Sequence, residues 1–291
     1  MEELRGHHGT WRLDEERVTV LFGTGRKVPS LYRALAHCFV PLAAVAAVDF
    51  DRGDPKSGWR LRLRLHQGMD PYSRLGAPGR EALTPLLLTG SHDQELLAEY
   101  FADQISASAR LARETEEGPD PGEVARGLVA SLPLQVRTGE GSATFDGNRV
   151  RLQWDGWFAG TVKSQEKARE YHLSEIEEAK WYPQVDVTEG YLRIVLRGVT
   201  IPEATEISND LFTLLTHGTK GSEETLLLAA TVNAHLQKSE QVREPAALPE
   251  VGDDTGQAIF VKIRELGRLR DEGLITEEEF STKKAELLAR L

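Results

Sequence analysis

The chain has 291 residues, 40% of them apolar, and a formal net charge of −11, which is enough for two ordinary domains and a small appendage. The acidic balance has the wrong sign for nonspecific binding to a phosphate backbone, so nucleic acid is not an expected partner. The single cysteine, Cys38, excludes an internal disulfide framework and a cysteine-rich zinc site, and between Ala36 and Phe39 it reads as a small buried hydrophobe.

In chain order, Met1 to Thr10 lacks the basic region and apolar core of an export signal, and His7 and His8 fall at an expected frayed terminus. The run GTWRLDEERV from Gly9 to Val18 reads strand, tight turn, strand, with Val18, Val20 and Phe22 alternating inward. The following loop, Phe22 to Lys27, carries two glycines but fits neither the P-loop nor the dinucleotide fingerprint. Phe39 to Val48 is apolar for only about ten residues and contains Pro41, too short for a membrane span, so a cytoplasmic location is expected. Leu42 to Val45 then leads to an aromatic anchor at Phe50. Trp59 to Leu65 (WRLRLRL) is a period-two strand with arginines on its wet face, and Pro85 to Leu88 is a further apolar strand. Leu96, Leu97, Ala98, Phe101 and Ile105 mark a closing helix. ETEEGPDPGE, from Glu114 to Glu123, reads as a break.

The chain then repeats itself at a spacing of 131 or 132 residues. Gly141 to Val150 lies over Gly9 to Val18, with Asp146-Gly147-Asn148 as a hairpin turn and Val150, Leu152 and Trp154 turned inward. Leu173 to Ile176 lies over Leu42 to Val45, Trp181 over Phe50, and Tyr191 to Leu196 over the arginine-striped strand, with alternation loose enough to allow a one-residue shift of register. Phe212 to Leu215 is the second apolar strand. His217 to Ser222 joins it to a helix with Ser222 as its cap, and Leu227, Leu228, Ala229, Val232 and Leu236 lie over the first closing helix. These elements predict an α+β, mainly β chain. Two tandem PH-like domains, each a β-sandwich or barrel closed by a C-terminal helix, occupy 1–110 and 133–238, separated by a linker at 111–132.

QKSEQVREPAALPEVGDDTGQ is acidic and proline-bearing and predicts a flexible linker at 239–257. The last segment, 258–291, is a two-helix hairpin. Its first helix carries Ile259, Ile263, Leu266 and Leu269 and stops at Gly273. Its second starts at Thr276, where Thr276 and Glu279 form a capping box and Ile275 and Phe280 a hydrophobic staple. Phe280, Lys284, Leu287, Leu288 and Leu291 follow as one mostly apolar stripe. Two short helices need a partner surface, which is another protein, a second copy of the chain, or the chain's own domains. Ile263, Leu266, Leu269, Leu274, Ile275, Phe280, Leu287 and Leu288 are the candidate contact residues.

The run GLITEEEF followed by KKAELL resembles the SHOCT domain, a short C-terminal module of bacterial proteins, and the resemblance implies oligomerisation or recruitment of a partner. GTWRLD, VPLAAVAAVDF and RLRLRL, with FDGNRV and SEIEEAKW in the second copy, resemble the tandem PH-like DUF4429-type domains of unknown function that precede SHOCT in actinobacterial proteins. The excess of arginine over lysine, 25 to 10, has the bias of a GC-rich bacterial genome. These resemblances imply a fold and no catalytic residue.

No pairing of acid with base, no nucleophile arrangement and no metal-ligand spacing stands out. No enzymatic activity, cofactor, metal or small-molecule substrate is therefore expected. The function expected is that of an interaction or scaffold protein. The alternative is a peripheral module at an anionic membrane surface, through Arg26, Lys27 and Arg33 in the first copy and Lys163, Lys167 and Arg169 in the second, against which stand Glu166 and Glu170.

Overall fold

The computed structural model describes residues 2–73, 75, 83–115, 118–184, 189–199, 206–216 and 218–241. The first copy opens with a four-stranded antiparallel sheet of β1 (Glu2–Arg5), β2 (Gly9–Leu13), β3 (Arg17–Phe22) and β4 (His37–Pro41), in that order, with the short helix α1 (Ser30–Leu35) between the last two. A turn of 3-10 helix, Leu42–Ala44, leads into a three-stranded sheet of β5 (Val45–Asp51), β6 (Trp59–Leu65) and β7 (Leu87–Gly90), and the copy closes with α2 (Glu95–Thr115). After α3 (Pro121–Gly127) the order recurs. β8 (Leu134–Arg137), β9 (Ser142–Phe145), β10 (Arg149–Gln153) and β11 (Ala168–His172) form the four-stranded sheet, with α4 (Thr161–Glu166) before β11. β12 (Ile176–Tyr182), β13 (Gly190–Leu196) and β14 (Thr213–Thr216) form the three-stranded one, and α5 (Gly218–Gln241) closes the copy. The chain is thus mainly β, with two tandem β domains built from open sheets.

The repeat extends to local chemistry. The carboxylate of Asp14 accepts the N–H groups of Glu16 and Arg17, and that of Asp146 accepts those of Asn148 and Arg149, so one side chain shapes the same turn twice. Those two hydrogen bonds, Asn148 first, hold the Asp146 carboxyl below its usual pKa. Each bend between sheets is pinned by a leucine N–H on the carbonyl of the preceding turn, Leu42 on Glu16 at 2.9 Å and Leu173 on Asn148 at 2.7 Å. The irregularity in pairing sits at the same place in both three-stranded sheets, between Val45 and Ala47 and between Ile176 and Glu178. In β13 Leu192 and Ile194 face inward as Leu61 and Leu63 do in β6, and Gly190 rather than Tyr191 stands in the place of Trp59, the one-residue shift that the loose alternation allows. α1 and α4 both end on a non-glycine residue with positive φ, Ala36 at 57° and Lys167 at 69°.

Several expectations are corrected. Glu2 to His8 is no frayed end: β1 pairs with β2, Leu4 is wholly buried, and the half-buried His8 ring lies 6.1 Å from that of Tyr32. The segment expected as a linker at 111–132 holds the end of α2 and all of α3, whose start is set by Asp120 accepting the Glu123 N–H and by Pro121 in the first turn. Val124, Ala125 and Leu128 there are buried. Ser222 is inside α5 rather than at its cap, and its carbonyl accepts the Trp181 indole N–H. Cys38 is buried as expected, which pushes its thiol up to about 12. The linker expected at 239–257 loses its first three residues, which are the end of α5, and residues 242–291, with the rest of that linker and the terminal hairpin, lie outside the described residues.

α5 joins the copies into one body. It packs on β12, β13 and β8 of its own domain and also on α1 and α3. A single hydrophobic cluster accordingly runs from Leu4 to Leu236. The buried hydroxyls of Thr225 and Thr231 donate to the carbonyls of Gly221 and Leu227 one turn back, so neither lacks a partner in the apolar surroundings. Asn233 secures the outer edge of β12: its side chain accepts the Ala179 N–H at 2.8 Å and donates to the Ala179 carbonyl at 2.9 Å. Truncating Asn233→Ala orphans both backbone groups and is expected to lower stability by about 2 kcal/mol, read as a shifted urea midpoint. An unchanged midpoint would contradict this clamp.

Candidate functional site

The most concentrated polar chemistry in the body is an internal strut. Lys163, on α4, and Glu140, between β8 and β9, are both wholly buried. The ammonium lies 2.9 and 3.0 Å from the two Glu140 oxygens and 3.1 Å from Oγ1 of Thr213, while Glu140 also accepts the Leu215 N–H at 2.6 Å. Burial draws the Lys163 pKa below that of an ordinary amine, and the Glu140 charge opposes that shift. The pair ties α4 to the last strand of the second copy and has no exposed face on which to meet a ligand.

Lys163, expected at an anionic surface, is therefore excluded from one. The reason is its place on α4, which aims it at a carboxylate 23 residues earlier rather than at solvent. Arg26, Lys27, Arg33, Lys167 and Arg169 are exposed. The Arg169 guanidinium lies 5.6 Å from the Phe212 ring centroid, and the adjacent Glu170 is held by Arg149 and Arg151 at 3.1 and 3.0 Å. Acid is thus interleaved with base along β11. Among the described residues no three His, Cys, Asp or Glu side chains are grouped to hold a metal ion, and no helix is long and apolar enough to cross a membrane.

What the body does present is apolar surface. On α2, Ala98, Phe101 and Ile105 face the core, while Leu96, Leu97, Tyr100 and Leu111 are 75%, 52%, 51% and 61% exposed. Around α4, Trp157 is 99% exposed, Phe158 61% and Val162 44%. Aromatic side chains so fully in water are costly to leave there and are the residues that dominate protein contacts. The sequence reading turned only Trp154 inward and passed over Trp157 and Phe158. Their signal was available: WDGWF puts three aromatics on five residues of a loop, and strand alternation uses only the first.

Residues 11–106 and 143–233 match the Domain of unknown function (DUF4429), in two segments that cover more than half of the chain. The chain belongs to the DUF4429 family. The first DUF4429 segment begins in β2 and ends in α2, and the second begins in β9 and ends in α5, so the family's unit is the repeat seen in the fold. Residues 262–288 match the Short C-terminal domain (SHOCT). That match covers Ile263, Leu266, Leu269, Leu274, Ile275, Phe280, Leu287 and Leu288, all outside the described residues. No curated protein matches the chain. In the first DUF4429 segment the most exposed apolar residues lie on α2, and in the second they lie in the loop before α4 and on α4 itself, while Phe39, Tyr182 and Val199 are exposed elsewhere.

Proposed function

We propose that this protein is a non-catalytic interaction platform, a rigid body of two fused DUF4429 repeats that presents its SHOCT hairpin to a protein partner or to another copy of itself. The observation that carries this reading is the apolar surface left on the body: Leu96, Leu97 and Tyr100 on the first copy and Trp157 and Phe158 on the second, while the buried charges of Lys163 and Glu140 satisfy each other. The anionic-surface alternative draws less support, because Lys163 is taken up by Glu140 and Glu170 is paired with arginines on the same sheet. Light scattering over a range of concentrations on the full chain, and on a chain ending before Gly256, tests the role of the hairpin. A lost partner or a smaller mass on truncation, beyond any association that the two repeats keep by themselves, is the expected result. Equal masses at every concentration, with the same partners retained, would sink it.

A further inference from the structure

Inside the chain the two repeats are stacked head to tail. α1 of the first copy and α3 after it lie on α5 of the second, and Ser30, the first residue of α1, donates from both its N–H and its hydroxyl to the Glu223 carboxylate on α5. Each repeat therefore has one face that covers and one that is covered. Two of the four faces are used within the chain, the α1 face of the first copy and the outer face of α5.

The repeat spacing identifies the other two. Leu96, Leu97 and Tyr100 on α2 stand where Leu227, Leu228 and Thr231 stand on α5. The three on α5 are at 0% exposure and the three on α2 at 75%, 52% and 51%. Among the main packing partners of the two helices, those without a counterpart on α2 are α1 and α3, so what α2 lacks is a cover. α4 is the counterpart of α1: Val162 stands where Leu31 stands, yet Val162 is 44% exposed and Leu31 0%. What α4 lacks is something to cover.

We propose that a second copy of this chain seats its α4 face, Trp157, Phe158 and Val162, on the outer face of α2, Leu96, Leu97 and Tyr100. Chains then join in the same sense as the two repeats within one chain. Such a contact is heterologous and leaves one open face of each kind at the ends, so it builds a ring if the rotation closes and a filament if it does not. It differs in detail from the internal contact. Glu166 stands where the buried Leu35 stands, and the apolar weight shifts to Trp157 and Phe158, whose counterparts Arg26 and Lys27 are exposed. A hairpin from Ile259 to Leu291 laid on α2 would cover that helix alone and leave Trp157 in water, whereas one head-to-tail contact accounts for both exposed faces.

Two single substitutions in the full chain and their mixture decide it by sedimentation velocity. Trp157→Glu removes the covering face and Leu97→Glu the covered one. Each alone is expected to weaken association at least about thirtyfold. The mixture is expected to regain a one-to-one complex that neither variant forms alone, because the first variant keeps its α2 face and the second its α4 face. Four results would overturn the proposal. A wild-type monomer at all concentrations is one. A mass unchanged by either variant, as hairpin-driven association would give, is another. Loss only in Leu97→Glu without rescue on mixing would mean α2 pairing with α2. Protease exposure of the hairpin in Leu97→Glu with no change in mass would mean that the hairpin covers α2. Both sites are exposed, so the variants should unfold with the wild-type transition. Leu96→Glu replaces Leu97→Glu if that variant does not.

Discussion

Replacing Lys163 by Met is expected to lower the stability of the repeat body by about 3–5 kcal/mol, with a fall in Tm on the order of 10 °C. The substitution keeps the length and apolar stem of the side chain and removes only the ammonium. It leaves the Glu140 carboxylate buried with the Leu215 N–H and without the cation 2.9 Å away. Most of the loss is the penalty for an uncompensated buried charge rather than the net worth of the pair. Glu140→Gln should cost a similar amount at neutral pH, and its pH dependence has a definite sign. Burial already depresses the Lys163 pKa, and the Glu140 charge that opposes the shift is now gone. The folded state then binds fewer protons than the unfolded one above its own depressed pKa. The variant is destabilised at and below that pKa and recovers as pH rises from it toward the ordinary lysine value of about 10.4. The double variant Glu140→Gln/Lys163→Met should lose less than the two single losses combined, since neither side leaves an unpaired charge. Thermal unfolding of the four proteins across pH checks all of this. Singles within about 0.5 kcal/mol of wild type would show that the strut is not buried as described.

Leu227→Ala and Leu96→Ala are the same substitution at equivalent places of the repeat, and their effects should differ by several kcal/mol. Leu227 is at 0% exposure on α5, a helix packed on its own sheets and on α1 and α3, so its truncation leaves a cavity and costs about 2–5 kcal/mol. Leu96 is 75% exposed on α2, and its truncation should stay within about 0.5 kcal/mol. Urea unfolding at a concentration low enough to hold the protein monomeric measures both. A large loss at Leu96 in the monomer would mean that α2 already has a cover within its own chain, and the head-to-tail contact would fall with it.

Much of the fold was legible because its signals are local. Strand alternation in WRLRLRL and the aspartate-led turns at Asp14 and Asp146 act over a few residues, and the structure places strands and turns where those patterns put them. β1 and β8 escaped because each is four residues long with one buried side chain, Leu4 or Val136, and a single inward residue has no period. α3 escaped because PDPGE, read as a Pro- and Gly-bearing break, is also a helix start, with Asp120 as cap and Pro121 in the first turn. Lys163 was misplaced because a lysine among charged neighbours reads as solvent-facing, and its partner lies in a different strand connection.

By itself the sequence determined that there are two copies, most of the strands of each and the helix that closes it, and that a SHOCT segment follows them. Those properties rest on turn chemistry and on hydrophobic periods that each segment carries alone. Only the tertiary structure decided that α5 is enclosed while α2 is half bare, and that Trp157 stands in water while Trp154 is buried. A period records that a helix face is apolar and says nothing of what lies against it. Leu96 and Leu227 are the same letter in the same register, and they differ because the first copy packs on one helix and leaves the other open.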